Sequence, residues 1–138
     1  MKKFPYPEHG GFPKFDGKGV IINARSESVA EKYMFRDSFL KRRCIVPSTG
    51  YYEWSKQKEK LRFNLPGQRM LYMAGIYQNT PEGLRFVILT MEANDSVSPI
   101  HHRMPLILTD GMIDAWMASL RESTDCLRAR MPNLCHLA

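Results

Sequence analysis

The stretch that most narrows the fold is Arg42-Arg43-Cys44-Ile45-Val46-Pro47-Ser48-Thr49-Gly50-Tyr51-Tyr52-Glu53-Trp54. A short apolar run, a Pro–Ser–Thr–Gly turn and an aromatic run read as strand, turn, strand. Side chains alternate along a strand, so Tyr51 and Glu53 share one face and Tyr52 and Trp54 the other, and one face must be core. Set in that pattern, Glu53 is either an edge residue in solvent or a functional acid.

The same alternation of β-prone runs and turns continues along the chain. Gly19–Asn23, Arg62–Leu65, Met70–Tyr77, Arg85–Thr90 and Met104–Leu108 read as strands, with turns at Pro66-Gly67 and Asn79-Thr80-Pro81-Glu82-Gly83. Lys56–Lys60 reads as a charged hairpin tip, and Glu92–Ile100 as a polar connection with a helical turn. From Ser26 to Lys41 the spacing of Val29, Ala30, Tyr33, Met34, Phe39 and Leu40 predicts one apolar helical stripe, in one or two helices, with Ser26 or Ser28 as cap. A second helix is predicted from Thr109 or Asp110 to about Leu120, with Ile113, Trp116, Met117 and Leu120 on one face. Residues 1–19 read as an irregular arm, and the tail after Arg121 shows no pattern. Many short strands and few helices predict an α+β fold with a curved or barrel-like sheet. At 138 residues the chain is expected to be a single domain, 1–138.

The 20 Lys and Arg against 14 Asp and Glu give a net charge of +6. That surplus favours polyanionic partners, nucleic acid before acidic membrane, although many basic proteins bind neither. No apolar run approaches the roughly 20 residues a membrane helix needs. Met1-Lys2-Lys3-Phe4-Pro5 lacks the apolar stretch of a secretory signal. Three cysteines without CxxC spacing argue for a reducing compartment and against a disulfide frame or zinc cluster. A cytoplasmic protein without metal or cofactor is expected.

Polar clusters that interrupt apolar context are the candidates for chemistry. Asn23-Ala24-Arg25-Ser26-Glu27 ends a strand: it is either a helix-capping turn or a pairing of an orienting amide with a guanidinium suited to phosphate. His101-His102-Arg103-Met104-Pro105 precedes a strand and combines a proton-exchanging ring with an anion-holding group. Lys41-Arg42-Arg43 reads as a solvated face able to touch backbone phosphates. No GxSxG, GxxxxGK[ST], GxGxxG or HExxH is present.

These clusters occur in a characteristic order. Asn23-Ala24-Arg25-Ser26-Glu27, Phe35-Arg36, Arg42 to Pro47, Gly50 to Trp54, Ala74-Gly75-Ile76-Tyr77, Ile88-Leu89-Thr90 with Ala93-Asn94, and His101 to Pro105 together resemble the SOS-response-associated peptidase family, whose members process abasic sites in DNA. The resemblance spans about residues 10 to 120. It implies a bifurcated, partly barrel-closed mixed β-sheet flanked by helices. It also implies a chemistry: the amine of an N-terminal cysteine attacks the aldehyde of a ring-opened abasic sugar in single-stranded DNA, the thiol closes a thiazolidine crosslink, and the same cysteine accounts for an associated self-cleavage. Carried onto this chain, Glu53 would be the acid/base, His101 would shuttle a proton or stabilise the opened sugar, and Asn23 would hold the attacking group in line. Arg25 and Arg103 would bind the flanking phosphates, and Phe15 would stack on a base.

The chain departs from the family pattern at its start, where Met1-Lys2-Lys3 stands in place of Met-Cys-Gly-Arg. Gly10-Gly11-Phe12-Pro13 is similar to a segment that family members reach after several earlier strands. The family's N-terminal segment is therefore expected to be missing, which leaves open whether the chain is itself an enzyme. An upstream start, completion by another polypeptide, or divergence to a member that binds without the covalent step are the accounts that remain. A non-catalytic single-stranded nucleic-acid-binding module is the alternative function. Cys44 is expected to be a buried core thiol. Missing strands would leave sheet edges open, so a homo-dimer or aggregation-prone behaviour is also expected.

Overall fold

Two long β-prone runs, Leu71–Thr80 and Gly83–Glu92, pair as an antiparallel hairpin that carries the rest of the fold. The computed structural model describes residues 9–137. In chain order the elements are β1 (His9–Gly10), β2 (Phe12–Pro13), β3 (Val20–Ile21), β4 (Asn23–Arg25), α1 (Arg36–Lys41), β5 (Arg43–Ser48), β6 (Tyr51–Trp54), β7 (Lys60–Asn64), β8 (Leu71–Thr80), β9 (Gly83–Glu92), β10 (Arg103–Pro105), α2 (Met112–Met117), α3 (Leu120–Cys126) and β11 (Cys135–Leu137). The largest sheet runs β1-β9-β8-β5, with β4 and β10 also on β9. A second sheet runs β11-β7-β6, and β2 and β3 form a small hairpin.

The main sheet forks. β8 follows β9 as far as the Gly75–Ile88 pair. Beyond it, β10 pairs with β9 through Arg103–Glu92, Met104–Met91 and Pro105–Thr90. The chain then crosses the fork: the Leu106 N–H donates to the Leu89 carbonyl, the Ala74 N–H to the Leu106 carbonyl, and the Leu108 N–H to the Tyr72 carbonyl. Leu106, Ile107 and Leu108 are almost wholly buried, so an apolar wedge holds the two arms apart and His101 to Arg103 stand at its mouth. The sheet is mixed, since β4 runs parallel to β9.

Barrel closure, expected from the resemblance, does not occur: among the described residues no sheet closes. The main sheet ends at β5, because after Ser48 the chain turns at Gly50 into β6, which pairs with β7 in the second sheet. The helices are also shorter than the spacing suggests. Residues 26–31 and 33–35 are turns, and only Arg36–Lys41 of this stretch is α-helical. Of the proposed stripe, Val29 and Phe39 are buried while Tyr33 and Leu40 face solvent. The second helix breaks at Ala118, and Ser119 starts α3: its hydroxyl accepts the Glu122 N–H and donates to the Glu122 carboxylate, a reciprocal cap.

Arg42 and Arg43 are structural staples and not the solvated face their sequence suggests. Arg42 donates to the Tyr77 carbonyl, Asp37 and Ser38. Arg43 donates to the carbonyls of Trp116, Phe39 and Leu40, binding the ends of α1 and α2 to β5. Cys44 is half-buried on β5, and burial pushes its thiol up to about 12, leaving it protonated and unreactive near neutral pH.

Candidate functional site

The alternation read from the aromatic run is realised on β6. Tyr51 and Glu53 are half-buried on one face, and Tyr52 and Trp54 are exposed on the other. The aromatic neighbours of Glu53 in sequence therefore do not enclose its carboxylate. His101 approaches it instead: Nε2 of His101 lies 3.7 Å from Oε2 of Glu53, with side chains 32% and 28% exposed respectively. Two local features aim the ring. Its Nδ1 lies 3.1 Å from the Arg103 backbone nitrogen and 3.2 Å from the Arg103 carbonyl oxygen, so the Arg103 backbone holds the ring in place. His102 stacks on the ring at 4.6 Å between centroids. Residues 97–101 form a tight turn, with the His101 N–H bonded to the Val97 carbonyl and Val97 fully buried. A groove of about 320 Å³, lined by Trp54, Lys56, Ser98, Ile100, His101 and His102, reaches the His101 member of the pair; Glu53 does not line it.

Arg103 turns back across β9. Its Nη2 donates to both carboxylate oxygens of Glu27, at 2.7 and 3.0 Å, and to the Thr90 carbonyl at 2.9 Å. Arg25 sits across the parallel pair from the same Thr90 and lies 3.6 Å from Glu27, its side chain 66% exposed. Asn23 and Arg25 lie on the outward face of β4, opposite buried Ala24. The structure thus gathers Glu53 with His101, and Arg25 with Arg103 through Glu27, and the backbone step from His101 to Arg103 joins the two groups. Asn23 stands two residues before Arg25 on β4, opposite Ile88, and no contact among the described residues brings it to Glu53 or His101.

Glu27 was not singled out by its sequence context, yet it decides how free the two guanidiniums are. Burial alone would raise its pKa, but the hydrogen bonds and charge of Arg103, with its own backbone N–H and the Ser26 hydroxyl, outweigh this and hold the carboxyl below the usual 4.5. A carboxyl depressed in the fold stabilises it fully above its unfolded pKa, and that contribution fades as pH falls through the folded value. Half exposure keeps the effect small. The wild-type protein is therefore expected to lose more stability than Glu27→Gln between about pH 5 and pH 3, measured by urea unfolding; equal losses would remove the ion pair from the acid response.

Phe15 lies apart from the Glu53–His101 pair in its contacts. It is 75% exposed on the β2–β3 hairpin and meets exposed Tyr33 at 5.9 Å, with the Arg36 guanidinium over Tyr33. A second exposed platform, missed in the sequence, is formed by Tyr52 and Trp54 with the Lys60 ammonium 4.4 and 5.9 Å from their rings. Its signal was present: β6 alternation already placed both aromatics opposite Glu53. The thiols of Cys126 and Cys135 point at the carbonyls of Met112 and Asn64. Among the described residues no group of three His, Cys, Asp or Glu side chains is arranged to hold a metal ion, and no helix is long and apolar enough to cross a membrane.

Comparison with known proteins gives this geometry a context. Residues 7–135 match the family model for the SOS response associated peptidase (SRAP). The abasic site processing protein YoqW of Bacillus subtilis (strain 168) is 36% identical over 118 residues, 79% of this chain and 53% of that protein. The abasic site processing protein HMCES of Gallus gallus is 32% identical over 124 residues, 69% of this chain and 37% of that protein. A crystal structure of a protein from Bacteroides thetaiotaomicron superposes with a TM-score of 0.72 at 32% identity, covering 83% of this chain and 56% of that one. The chain spans about half the length of the bacterial relatives it matches.

Proposed function

The chain belongs to the SOS response associated peptidase family, and from that premise we propose that it recognises abasic sites in single-stranded DNA. The observation that carries the reading is the Glu53–His101 pair, 3.7 Å apart, with His101 opening onto a groove. An abasic sugar opens to its aldehyde when a proton is delivered to the ring oxygen, and an amine adds to that aldehyde when a base takes its surplus proton. Glu53 gives the first proton and accepts the second. Nε2 of His101, 3.7 Å from that carboxylate, relays a proton between it and the opened sugar. Asn23 orients the attacking group, and Arg25 and Arg103 hold the phosphates on either side. Phe15 offers a face for a neighbouring base. Thiazolidine closure and self-cleavage through an N-terminal cysteine belong to this proposal as what the resemblance implies; the groups placed above account for recognition and proton transfer.

The test is fluorescence anisotropy with labelled single strands that differ in one position, abasic or intact. The abasic strand is expected to bind about tenfold tighter, a difference of about 1.4 kcal/mol, and both should weaken steeply with salt. Equal, salt-sensitive affinities would instead support a non-catalytic single-strand binder. The platform of Tyr52, Trp54 and Lys60 favours that second reading, since stacking and charge act on every base alike.

A further inference from the structure

The segment that carries His101 is a closed loop, with the Ala93 N–H donating to the His102 carbonyl at its neck. Inside the loop, the Asn94 side chain uses its whole hydrogen-bonding capacity, two donors and two acceptor sites. Its Nδ2 donates to the carbonyls of Met131 and Pro132, at 3.3 and 2.9 Å. Its Oδ1 accepts from the Ser96 N–H at 3.1 Å and from the Ser96 hydroxyl. The main-chain carbonyl of Asn94 accepts the N–H groups of Val97 and Ser98, and the Val97 carbonyl accepts those of Ile100 and His101. Two successive backbone bonds thus run from Asn94 to His101. Residues 98–102 line the groove together with Trp54 to Lys56, so the turn that Asn94 opens is one wall of it.

We propose that Asn94 is a positioning residue: through the turn it opens, it fixes His101 against Glu53 and sets the wall of the groove. The proposal rests on the abasic-site reading above. The two ends of the amide act differently. Oδ1, bonded to the Ser96 N–H, closes an Asx-turn, which directs the chain as a backbone turn would. Nδ2 fastens that turn to the segment after α3. The Leu134 N–H, donating to the Ser96 hydroxyl at 3.0 Å, is a second fastening of the same kind. Met131 and Leu134 are buried, so this segment is an anchored support. Asn94 itself meets no substrate atom. It acts through geometry: Nε2 of His101 stands 3.7 Å from Oε2 of Glu53, and moving a reacting group by about 1 Å costs about 10²-fold in rate.

Two variants separate placement from stability. Asn94→Asp keeps the oxygen that accepts from Ser96 and loses both donations to the carbonyls of Met131 and Pro132. Asn94→Ala loses everything the side chain makes. Both should unfold at lower urea concentration, since each leaves polar groups unpaired, but only Asn94→Ala should release His101. Two measurements on the folded proteins read this. The rings of His101 and His102 stack with centroids 4.6 Å apart and shift each other's proton NMR signals; Asn94→Ala should abolish that mutual shift and Asn94→Asp should keep it. His136, tilted on Phe63 in the second sheet, is the internal reference and should not move. In anisotropy, the preference of about tenfold for the abasic over the intact strand should vanish in Asn94→Ala and persist in Asn94→Asp. If both variants keep the ring signals and the preference, or both lose them along with stability, the side chain serves the fold alone and the inference fails. Loss of either in Asn94→Asp overturns it whether or not Asn94→Ala folds. A His136 signal that moves with the other two in Asn94→Ala also overturns it, because the segment after α3 has then detached. If the wild type does not distinguish abasic from intact strands, the abasic-site reading fails, and the ring signals alone decide whether Asn94 places His101.

Discussion

Trp116→Ala is expected to lower the free energy of unfolding by about 3–5 kcal/mol, the range for truncating a large buried aromatic. Trp116 has no exposed surface and packs against Phe39 at 5.8 Å. Its indole N–H donates to the Cys44 carbonyl at 2.9 Å, and its own carbonyl accepts from Arg43. Removing the ring therefore opens a cavity between α1, α2 and β5 and orphans a β5 carbonyl at the same time. Trp116→Phe separates the two effects: it keeps most of the apolar contact and loses the hydrogen bond, for about 1–3 kcal/mol. Urea unfolding of both variants checks this. A loss below about 1 kcal/mol for Trp116→Ala would be a surface-like value and would remove the ring from the centre of the core.

What the sequence made legible was whatever a local period or a local turn determines. Alternation on β6 gave the faces of Tyr51, Tyr52, Glu53 and Trp54 correctly. The runs of β8 and β9 and the turn ending at Gly83, where φ is +117°, were equally readable. Helical spacing misled at residues 26–35, because Val29 is buried under a chain of turns; a few apolar residues at intervals of three or four satisfy either arrangement. α3 was overlooked although Ser119-Leu120-Arg121-Glu122 is a capping-box signature. Long-range pairings had no such signal. That Arg43 would bind three carbonyls and that Arg103 would close on Glu27 had no local signal, and that Glu53 would stand by His101 was legible only through the resemblance.

Gly50 shows how closely the site depends on such a pairing. Its substitution by alanine is expected to cost about 1–3 kcal/mol, as inserted bulk does in a packed setting, although replacing glycine elsewhere often stabilises by restricting the unfolded chain. Positive φ is not the reason, since Gly50 is not among the glycines that adopt it. Close approach is the reason: a Cβ there would stand 2.6 Å from the Phe63 carbonyl oxygen and 3.1 Å from Arg62 Nε. That carbonyl belongs to β7, and Tyr51 pairs with Phe63 in the next step of the same ladder. The clash is relieved only by moving β6 relative to β7, and β6 carries both Tyr51 and Glu53. Displacing a reacting group by about 1 Å is enough to cost about 10²-fold in rate, so Gly50→Ala should also erase the preference for abasic over intact strands. Gly10→Ala is the matched comparison, because a Cβ on β1 meets only Phe86 ring carbons at 3.8 and 3.9 Å, an ordinary contact. It should stay within about 0.5 kcal/mol of the wild type and keep the preference. If both variants behave alike, the turn at Gly50 tolerates a side chain, and the placement of Glu53 does not depend on the close approach of Phe63.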